Sequence, residues 1–393
     1  MKKRIVSRVA AVALLCFVTA SAAACSNETE EFVSKPVTGI DAMFDESLGY
    51  YNEHPCVVQV SETERYVYYT KNAARSENGS EYIAVRQGTF QDGTWTYGEP
   101  AAALSPAQSG WDSGRVFQAD VIGGSFTYEG DSYAWLMAYA GTGTQSSRDG
   151  AQIGFAVAPS PAGPWTRVGS APFVTWNASD YTQYGELLTD GVNEPSLVSY
   201  NRAEQVILFY SLYNPNTVDS CKYVLLDLSG DLNALTSVKG ERGNLLSSKG
   251  IRDMSTTPAC IAADFVLTAD GETLLAVRDY YPLEATTPAG AAAVQVISAP
   301  AAILTESISA SSPSWTIVND RINALDTAVW TEEGKTGYDR IYSGCVIGDS
   351  YGRVADAQSF SVAFTSSATA VVTQSYAFTP MIHEMAIGGE ADL

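Results

Sequence analysis

The feature that most constrains this chain is a group of short strand-like runs that recurs about every 70 residues. Each group contains β-branched and aromatic runs such as YVYYT, YAWLMAYAG, QVILFYS and TLLAVRDY, separated by Gly, Asn, Asp and Pro. Runs of this kind, bounded by turn residues, are typical of antiparallel strands. A chain built from repeated small sheets buries their faces by packing one sheet against the next.

Five such groups can be counted along the chain. The residues that mark them are His54, Asp120, Glu194, Cys260 and Cys345, and the spacings between these residues are 66, 74, 66 and 85. Several groups close on a tryptophan run, as in GTWTYGEP, GPWTRVG and SWTIV. The pattern predicts an all-β fold, a five-bladed β-propeller of four-stranded antiparallel blades, which closes radially and protects its edge strands. A two-domain β-sandwich is the alternative, but the tryptophan-closed units argue against it.

The first 25 residues have the features of an export signal. Four basic residues precede the apolar run VAAVALLCFVTA, which is too short for a comfortable membrane span. The run ends in Ser-Ala-Ala-Ala before Cys25, which resembles a bacterial lipobox and implies cleavage before Cys25 and lipid attachment to its thiol. An ordinary secretory signal is the alternative. We therefore expect a leader over 1–25, a polar tether over 26–40 and a propeller over 41–393, in a cell-envelope lipoprotein facing away from the cytoplasm.

The net charge limits the classes of binding partner, and the cysteine content limits the possible disulfides. Without the four basic residues of the leader, 19 Lys and Arg stand against 44 Asp and Glu, a net charge of −25. Such a chain repels nucleic acid and anionic lipid, so contact with the membrane is expected only through the lipid anchor. Four cysteines follow the leader and allow three pairings, and buried free thiols are at least an equal alternative: Cys56, Cys221, Cys260 and Cys345. A monomer is expected.

One segment carries a family resemblance. IGFAVAPSPAGPWTRV, residues 153–168, is similar to the blade-closing pattern of the five-bladed propeller glycosidases, which include family 43 arabinanases and xylosidases and the invertase and levansucrase relatives. GDSYAWLMAYAG, just before it, resembles the preceding strand of the same blade. The resemblance extends over most of residues 50–385. It implies a carbohydrate substrate, of the arabinoside or xyloside kind, and hydrolysis by inversion with two carboxyl groups on either side of the bond.

The resemblance also implies three acidic positions. In the family the general acid is a glutamate at the start of blade three, and NEPSLV places Glu194 there. An aspartate that orients the acid would correspond to Asp120 in FQADVIGG. The water-activating base is normally an aspartate before proline in blade one, where this chain has His54 before Pro55, with Glu53 beside it. Either His54, if neutral, or Glu53 could act as the base, although strand alternation points Glu53 to the other side.

Further candidates could contact the sugar. Trp111 and Asp112, in SGWDSGRVFQAD, could place an indole under a sugar ring. Arg252 and Arg340, which precede blades four and five, could donate paired hydrogen bonds to hydroxyl groups or to a carboxylate. No cofactor is expected, although the resemblance leaves room for a structural cation near His383.

Three function classes remain. The first is an exported, lipid-anchored glycosidase acting on a plant- or host-derived glycan. The second is a propeller that binds glycans without cutting them, which the missing blade-one aspartate favours. The third is an interaction scaffold of the envelope. A sialidase is disfavoured because the S-x-D-x-G-x-x-W box is not repeated, and a serine hydrolase because no G-x-S-x-G elbow is present.

Overall fold

Five small antiparallel sheets make up the fold, as the repeat predicts, and the five-bladed β-propeller is confirmed. The computed structural model describes residues 35, 37–43, 52–72, 80–176, 191–213, 220–246, 260–280, 293–305, 314–323, 340–367 and 381–388. The leader, Cys25 and Arg252 lie outside these residues. Within the described part of the chain, no helix is long and apolar enough to cross a membrane.

The first three blades follow one another along the chain, each starting with its innermost strand. Blade one contains β2 (Asn52–Ser61), β3 (Glu64–Asn72), β4 (Glu81–Gln91), β5 (Thr94–Tyr97) and β6 (Ala101–Leu104). Blade two contains β7 (Arg115–Tyr128), β8 (Asp131–Thr142), β9 (Gln152–Ala158), β10 (Thr166–Arg167) and β11 (Val174–Thr175). Blade three contains β12 (Gly191–Ser199), β13 (Gln205–Tyr213), β14 (Ser220–Asp227) and β16 (Asn244–Leu245), and β15 (Val238–Lys239) pairs in parallel with β11.

The last two blades complete the ring. Blade four contains β17 (Ala263–Thr268), β18 (Thr273–Tyr280), β19 (Ala293–Pro300) and β20 (Thr316–Asn323). Blade five contains β21 (Arg340–Val346), β24 (Phe360–Ser367) and β25 (Met381–Ile387), with the N-terminal β1 (Val37–Ala42) as its outermost strand. Short 3-10 helices lie at Leu232–Ala234, Gly240–Arg242 and Ala301–Leu304.

The pairing of β1 with β25 corrects the predicted boundary of the tether. Residues 37–40 were expected to belong to the polar tether, but they form an antiparallel strand in which Val37 lies opposite Ile387. A strand from the start of the chain thus completes the last blade. Because this joins the two ends of the chain in one sheet, the ring is closed by backbone hydrogen bonds as well as by packing.

Local sequence explains two of the tight turns. Asp92–Gly93 joins β4 to β5, and Glu129–Gly130 joins β7 to β8, and all four residues have positive φ angles between 53° and 84°. This is the backbone of a type I′ hairpin, whose twist matches that of the strands on either side. An acidic residue followed by glycine is therefore a hairpin signal at both places.

The blades pack through apolar side chains on both faces of their middle strands. Between blades three and four, Phe209 stacks on Phe265 with ring centroids 4.1 Å apart. In blade two, the run Trp135–Thr142 of β8 is buried on both faces because sheets cover it on both sides. Such strands are continuously apolar rather than alternating, which is why YAWLMAYAG has no polar face. The four cysteines after the leader are buried and unbridged: Cys56, Cys221, Cys260 and Cys345.

One segment covers the far end of the axial channel. Strands β22 (Gly348–Asp349) and β23 (Arg353–Val354) follow β21 and pair in parallel with β2 and β17. Between them, carbonyl groups of Ser350, Tyr351 and Gly352 accept hydrogen bonds from backbone N–H groups of blades two, three and four. The segment from 348 to 354 thus contacts every other blade, and it lies past the middle of the innermost strands, away from their first residues.

Candidate active site

Near or just before the start of every innermost strand, the backbone has one residue with a positive φ angle, called the bulge residue below. One residue in each blade has a φ angle close to +50°: His54 (51°), Gln118 (50°), Glu194 (52°), Ala262 (47°) and Ser343 (49°). In blades one, two, three and five the strand register shifts at this point, as a bulge requires. Positive φ is unfavourable for residues other than glycine, so its recurrence in every blade marks a built feature of the fold.

These five residues surround the mouth of an axial pocket with an empty volume of about 390 Å³. His54, Gln118 and Glu194 supply polar groups from blades one to three, whereas Ala262 and Ser343 present small side chains from blades four and five. The pocket is therefore lined by larger polar side chains on the side of blades one to three and by small side chains on the side of blades four and five. The bulge brings residues that are 64 to 81 positions apart in sequence to the same opening.

The bulge corrects the expected position of Asp120. The sequence pattern predicts Asp120 at the head of blade two, but Gln118 occupies the place equivalent to His54 and Glu194. Asp120 lies two residues further along β7, level with Cys56 and Ser196, on the floor of the pocket. The useful signal in the sequence is the small or proline residue after each bulge residue: Pro55, Ala119, Pro195, Ala263 and Gly344.

His54 and Glu194 meet at the pocket. Nε2 of His54 lies 3.9 Å from Oε1 of Glu194, and their side chains are 16% and 12% exposed. The Gln118 side chain lies against both residues, because its Nε2 is 2.9 Å from His54 Nε2 and its Oε1 accepts the Glu194 backbone N–H at 3.2 Å. The structure therefore brings two of the predicted catalytic residues together, and it adds Gln118, which sequence reasoning missed.

The charge on His54 depends on its acidic neighbours. Burial by itself lowers the pKa of His54, but the nearby carboxylates of Glu53 and Glu194 outweigh burial and the opposing Arg148, so the pKa is raised to about 9. The imidazole is then doubly protonated at neutral pH. The Gln118 side-chain oxygen already accepts the Glu194 N–H, so the acceptor that Nε2–H of the imidazolium faces is the Glu194 carboxylate at 3.9 Å.

Glu53 faces away from the pocket, as strand alternation predicted. It is 3% exposed, its Oε1 lies 3.3 Å from Nδ1 of His54, and its Oε2 accepts a hydrogen bond from Tyr342 Oη at 3.4 Å. Arg148 forms an ion pair with Glu53 and a second one with Glu81 at 2.8 Å. Glu53 therefore belongs to a buried ion-pair network and supports His54 from behind.

Asp120 and a second aspartate, Asp264, hold neighbouring blades together below the pocket. Asp120 accepts hydrogen bonds from Cys56 Sγ at 2.9 Å and from the Leu197 backbone N–H at 2.5 Å. Asp264 accepts from Ser196 Oγ at 2.9 Å in the same way. Burial raises the pKa of both carboxyl groups. Asp120 thus acts on Glu194 through the strand that carries it, since Leu197 is three residues further on.

The structure gives Trp111 and Asp112 a packing role instead of the predicted sugar contact. Trp111 stacks on Tyr139 with centroids 5.5 Å apart, over a surface that Gly154 leaves open. Asp112 is 2% exposed and forms an ion pair with Arg167 at 2.6 Å. Asp112 is buried and paired, the Trp111 indole lies against its own sheet, and neither residue lines the axial pocket.

Arg340 and His383 lie in blade five. The Arg340 guanidinium lies 4.1 Å from the centroid of the Tyr342 ring, close behind the pocket, so a substrate contact stays a prediction for this residue. His383 is 1% exposed, and its Nδ1 is 3.0 Å from Ser366 Oγ. Among the described residues, no group of three or more His, Cys, Asp or Glu side chains could hold a metal ion.

Comparison with known proteins identifies the class of fold. No family model matches the sequence, and no curated protein matches it. Among solved structures, the catalytic domain of a family 62 α-L-arabinofuranosidase from Coprinopsis cinerea superposes with a TM-score of 0.53 at 11% identity, covering 90% of this chain and 96% of that one.

Two further structures are similar. A family 117 glycoside hydrolase from the marine bacterium Zobellia galactanivorans has a TM-score of 0.51 at 12% identity, covering 90% of each chain. An α-L-arabinofuranosidase from Podospora anserina, in complex with cellotriose, has a TM-score of 0.50 at 12% identity, covering 91% of this chain and 97% of that one. The fold is therefore that of the five-bladed propeller glycoside hydrolases, as the sequence resemblance implied.

Proposed function

We propose that this protein is a glycoside hydrolase whose reaction takes place in the axial pocket. The fold supports this proposal, because the similar structures are glycoside hydrolases and two of them are α-L-arabinofuranosidases. A substrate of the arabinoside or xyloside kind, from a plant or host glycan, is the finer part of the proposal. Small residues on blades four and five leave one side of the pocket open for such a ring.

The observation that carries the proposal is the contact between His54 and Glu194. Hydrolysis needs a group that gives a proton to the leaving oxygen. An imidazolium and a carboxylate 3.9 Å apart hold one such proton between them, at the mouth of the pocket. We assign proton donation to this pair, with Glu194 in the position of the family's general acid and Asp120 holding the strand of Glu194.

The geometry bears on the predicted base. An inverting enzyme separates its acid and base by roughly 6.5–9.5 Å so that a water fits between the base and the sugar. The 3.9 Å between His54 and Glu194 is too short for that, so both act on the same side of the bond. Because an imidazolium has no lone pair for a water proton, we do not assign the role of base to His54. We do not assign it to Glu53 either, because Glu53 forms an ion pair with Arg148.

A second function is favoured by one specific observation. Blade one presents the cation His54 where the family has the basic aspartate. A propeller with a proton donor and no base would bind a glycan without cutting it. The non-catalytic glycan-binding propeller is therefore the alternative, and sugar release separates the two.

The deciding experiment measures sugar release by the protein without its leader from arabinosides, xylosides, fructans and galactans. Glu194→Gln is compared with Glu62→Gln, a matched change at an exposed hairpin turn. Release that is abolished only by Glu194→Gln supports the proposal. Release that both variants retain contradicts the assigned donor. Binding without release, in a folded sample, favours the glycan-binding alternative.

Export and anchoring form a separate part of the proposal. We infer that Cys25 carries a lipid and tethers a monomeric propeller to the cell envelope, because the leader combines basic residues, an apolar run and small residues before a cysteine. Metabolic labelling with a radioactive fatty acid should mark the wild-type protein and leave Cys25→Ser unmarked. Labelling of the Cys25→Ser variant would contradict the anchor.

A further inference from the structure

The second strand of each blade has an equivalent position opposite the bulge of its innermost strand. The five residues at this position are Thr70, Ala140, Ser211, Asp279 and Thr365. In four blades the side chain at this position accepts the backbone N–H of the bulge residue in the next blade. Thr70 accepts from Gln118 at 2.8 Å, Ser211 from Ala262 at 2.9 Å, Thr365 from His54 at 3.1 Å and Asp279 from Ser343 at 2.6 Å.

A hydroxyl group is sufficient for this contact, as three blades demonstrate. Blade two has Ala140 there, and the Gln118 side chain accepts the N–H of Glu194 in its place. Blade four alone uses a carboxyl group, and Asp279 is 4% exposed. Burying a carboxyl group costs much more than burying a hydroxyl, so the backbone contact alone does not account for an aspartate at this position.

We propose that Asp279 is a positioning residue for the His54–Glu194 pair, whose proton content it controls through its own charge. The proposal rests on the proposed function as far as catalysis is concerned. Its electrostatic part concerns His54 directly and can be measured without a substrate.

Three charged groups around Asp279 come from other strands. Burial and then the Glu194 carboxylate on β12 raise the pKa of Asp279, the Ser343 N–H, His54 on β2 and Arg340 on β21 lower it, and the net result is a pKa of about 7. Asp279 therefore interacts electrostatically with both members of the pair. Its own titration falls in the pH range in which a hydrolase works.

Asp279 has one charged neighbour on its own strand, Arg278, with which it interacts electrostatically. Arg278 donates from Nε to Gln295 at 2.9 Å, on the opposite face of β18. On β19 the residue opposite Asp279 is Val294, which has no charge. The charged groups that act on Asp279 are therefore Arg278 on its own strand and Glu194, His54 and Arg340 on strands of the other blades.

Two protonation states follow. Below about pH 7, Asp279 is neutral, and the pocket contains Glu194 as the acidic partner of His54. Above it, Asp279 ionises and adds a negative charge near the pair, which increases the affinity of the pair for a proton. Ionised Asp279 would keep His54 protonated over a wider pH range, so that a donor remains available.

The test measures the pKa of His54 by NMR titration of the imidazole signals. The chain has two histidines, so His383 serves as an internal reference. Asp279→Thr restores the hydroxyl found in blades one and five, and Thr365→Ser is the matched control at an equivalent position. We expect Asp279→Thr to lower the pKa of His54 by roughly half a unit or more. We expect Thr365→Ser to leave it unchanged.

Asp279→Asn provides a second variant that keeps the shape of the side chain and an acceptor for the Ser343 N–H. A folded Asp279→Asn protein in which His54 titrates as in the wild type would overturn the proposal. A lowered pKa of His54 together with no sugar release would support the electrostatic role and reject only the catalytic one. Where sugar is released, the alkaline limb of the pH profile should move to lower pH in both variants.

Discussion

The side-chain oxygen of Gln118 accepts the backbone N–H of Glu194 at 3.2 Å, and this contact replaces one that a hydroxyl group makes in three other blades. Blade two has Ala140 where its neighbours have Thr70 and Ser211. The residue at the centre of the proposed chemistry is therefore held by a side chain that also touches His54. Loss of Gln118 should affect both.

Gln118→Leu should destabilise the protein, and a second substitution at position 140 should restore part of the lost stability. Removing the acceptor leaves the buried N–H of Glu194 unsatisfied, at a cost of about 1–3 kcal/mol. Ala140→Ser in the same chain supplies a hydroxyl at the position that accepts this N–H in other blades. We expect urea unfolding to show a loss in the single variant and partial recovery in the double variant. Equal stability of the two variants would contradict the equivalence of position 140 with Thr70.

The stability of the protein should fall between neutral and alkaline pH because of His54. The pKa of His54 is raised from 6.5 to about 9, so protonation stabilises the folded state fully below pH 6.5 and this contribution is lost as the pH rises through 9. The difference amounts to about 3 kcal/mol. Urea unfolding at pH 6 and pH 9.5 should show a larger loss for the wild type than for His54→Gln. Identical losses would contradict the raised pKa.

Arg148 should be important for folding and for the charge of His54. Arg148→Met leaves Glu53 and Glu81 without this partner in a buried setting, where breaking an ion pair costs about 3–5 kcal/mol. It also removes a charge that lowers the pKa of His54, which should rise further. Denaturant unfolding and the histidine titration measure the two effects. Arg167→Met, which removes a paired arginine from blade two, is the control and should not change the titration.

Trp111→Ala should weaken the fold and leave sugar binding intact. The indole packs on Tyr139 and over Gly154, so its loss creates a cavity at a cost of about 2–4 kcal/mol. Because the ring lies on its own sheet, the affinity of the variant for a sugar ligand should stay within twofold of the affinity of the wild type. A large loss of affinity with little loss of stability would restore the sugar contact predicted from the sequence.

Much of the fold could be predicted because its signals are local. The turn pairs Asp92–Gly93 and Glu129–Gly130 and the runs between them mark hairpins wherever they occur. The closing strand of blade five was missed, since Val37–Ala42 has no partner nearby in sequence and pairs with residues almost 350 positions later. The short fourth strand of blade three, Asn244–Leu245, also has little sequence signal of its own.

The site was only partly predictable, because a shift of two residues along a strand changes which side chain lies at the mouth of the pocket. Glu194 and His54 were found from the proline that follows each, and they do face each other. Asp120 has the more conspicuous side chain, but the bulge places Gln118 at the pocket and Asp120 beneath it. Trp111 is an aromatic residue like those that bind sugars, and nothing local distinguishes it from an aromatic residue that packs on its own sheet.

The amino-acid sequence by itself determined the number of blades, the strands that build them and the glutamate at the head of blade three, because alternation, turn residues and repeat length act over a few residues. The tertiary structure alone decided the charge of His54 and the place of Asp279. Both depend on carboxyl groups that different blades bring together in a space with little water, where burial and Coulomb interaction act through distance and not through order in the chain.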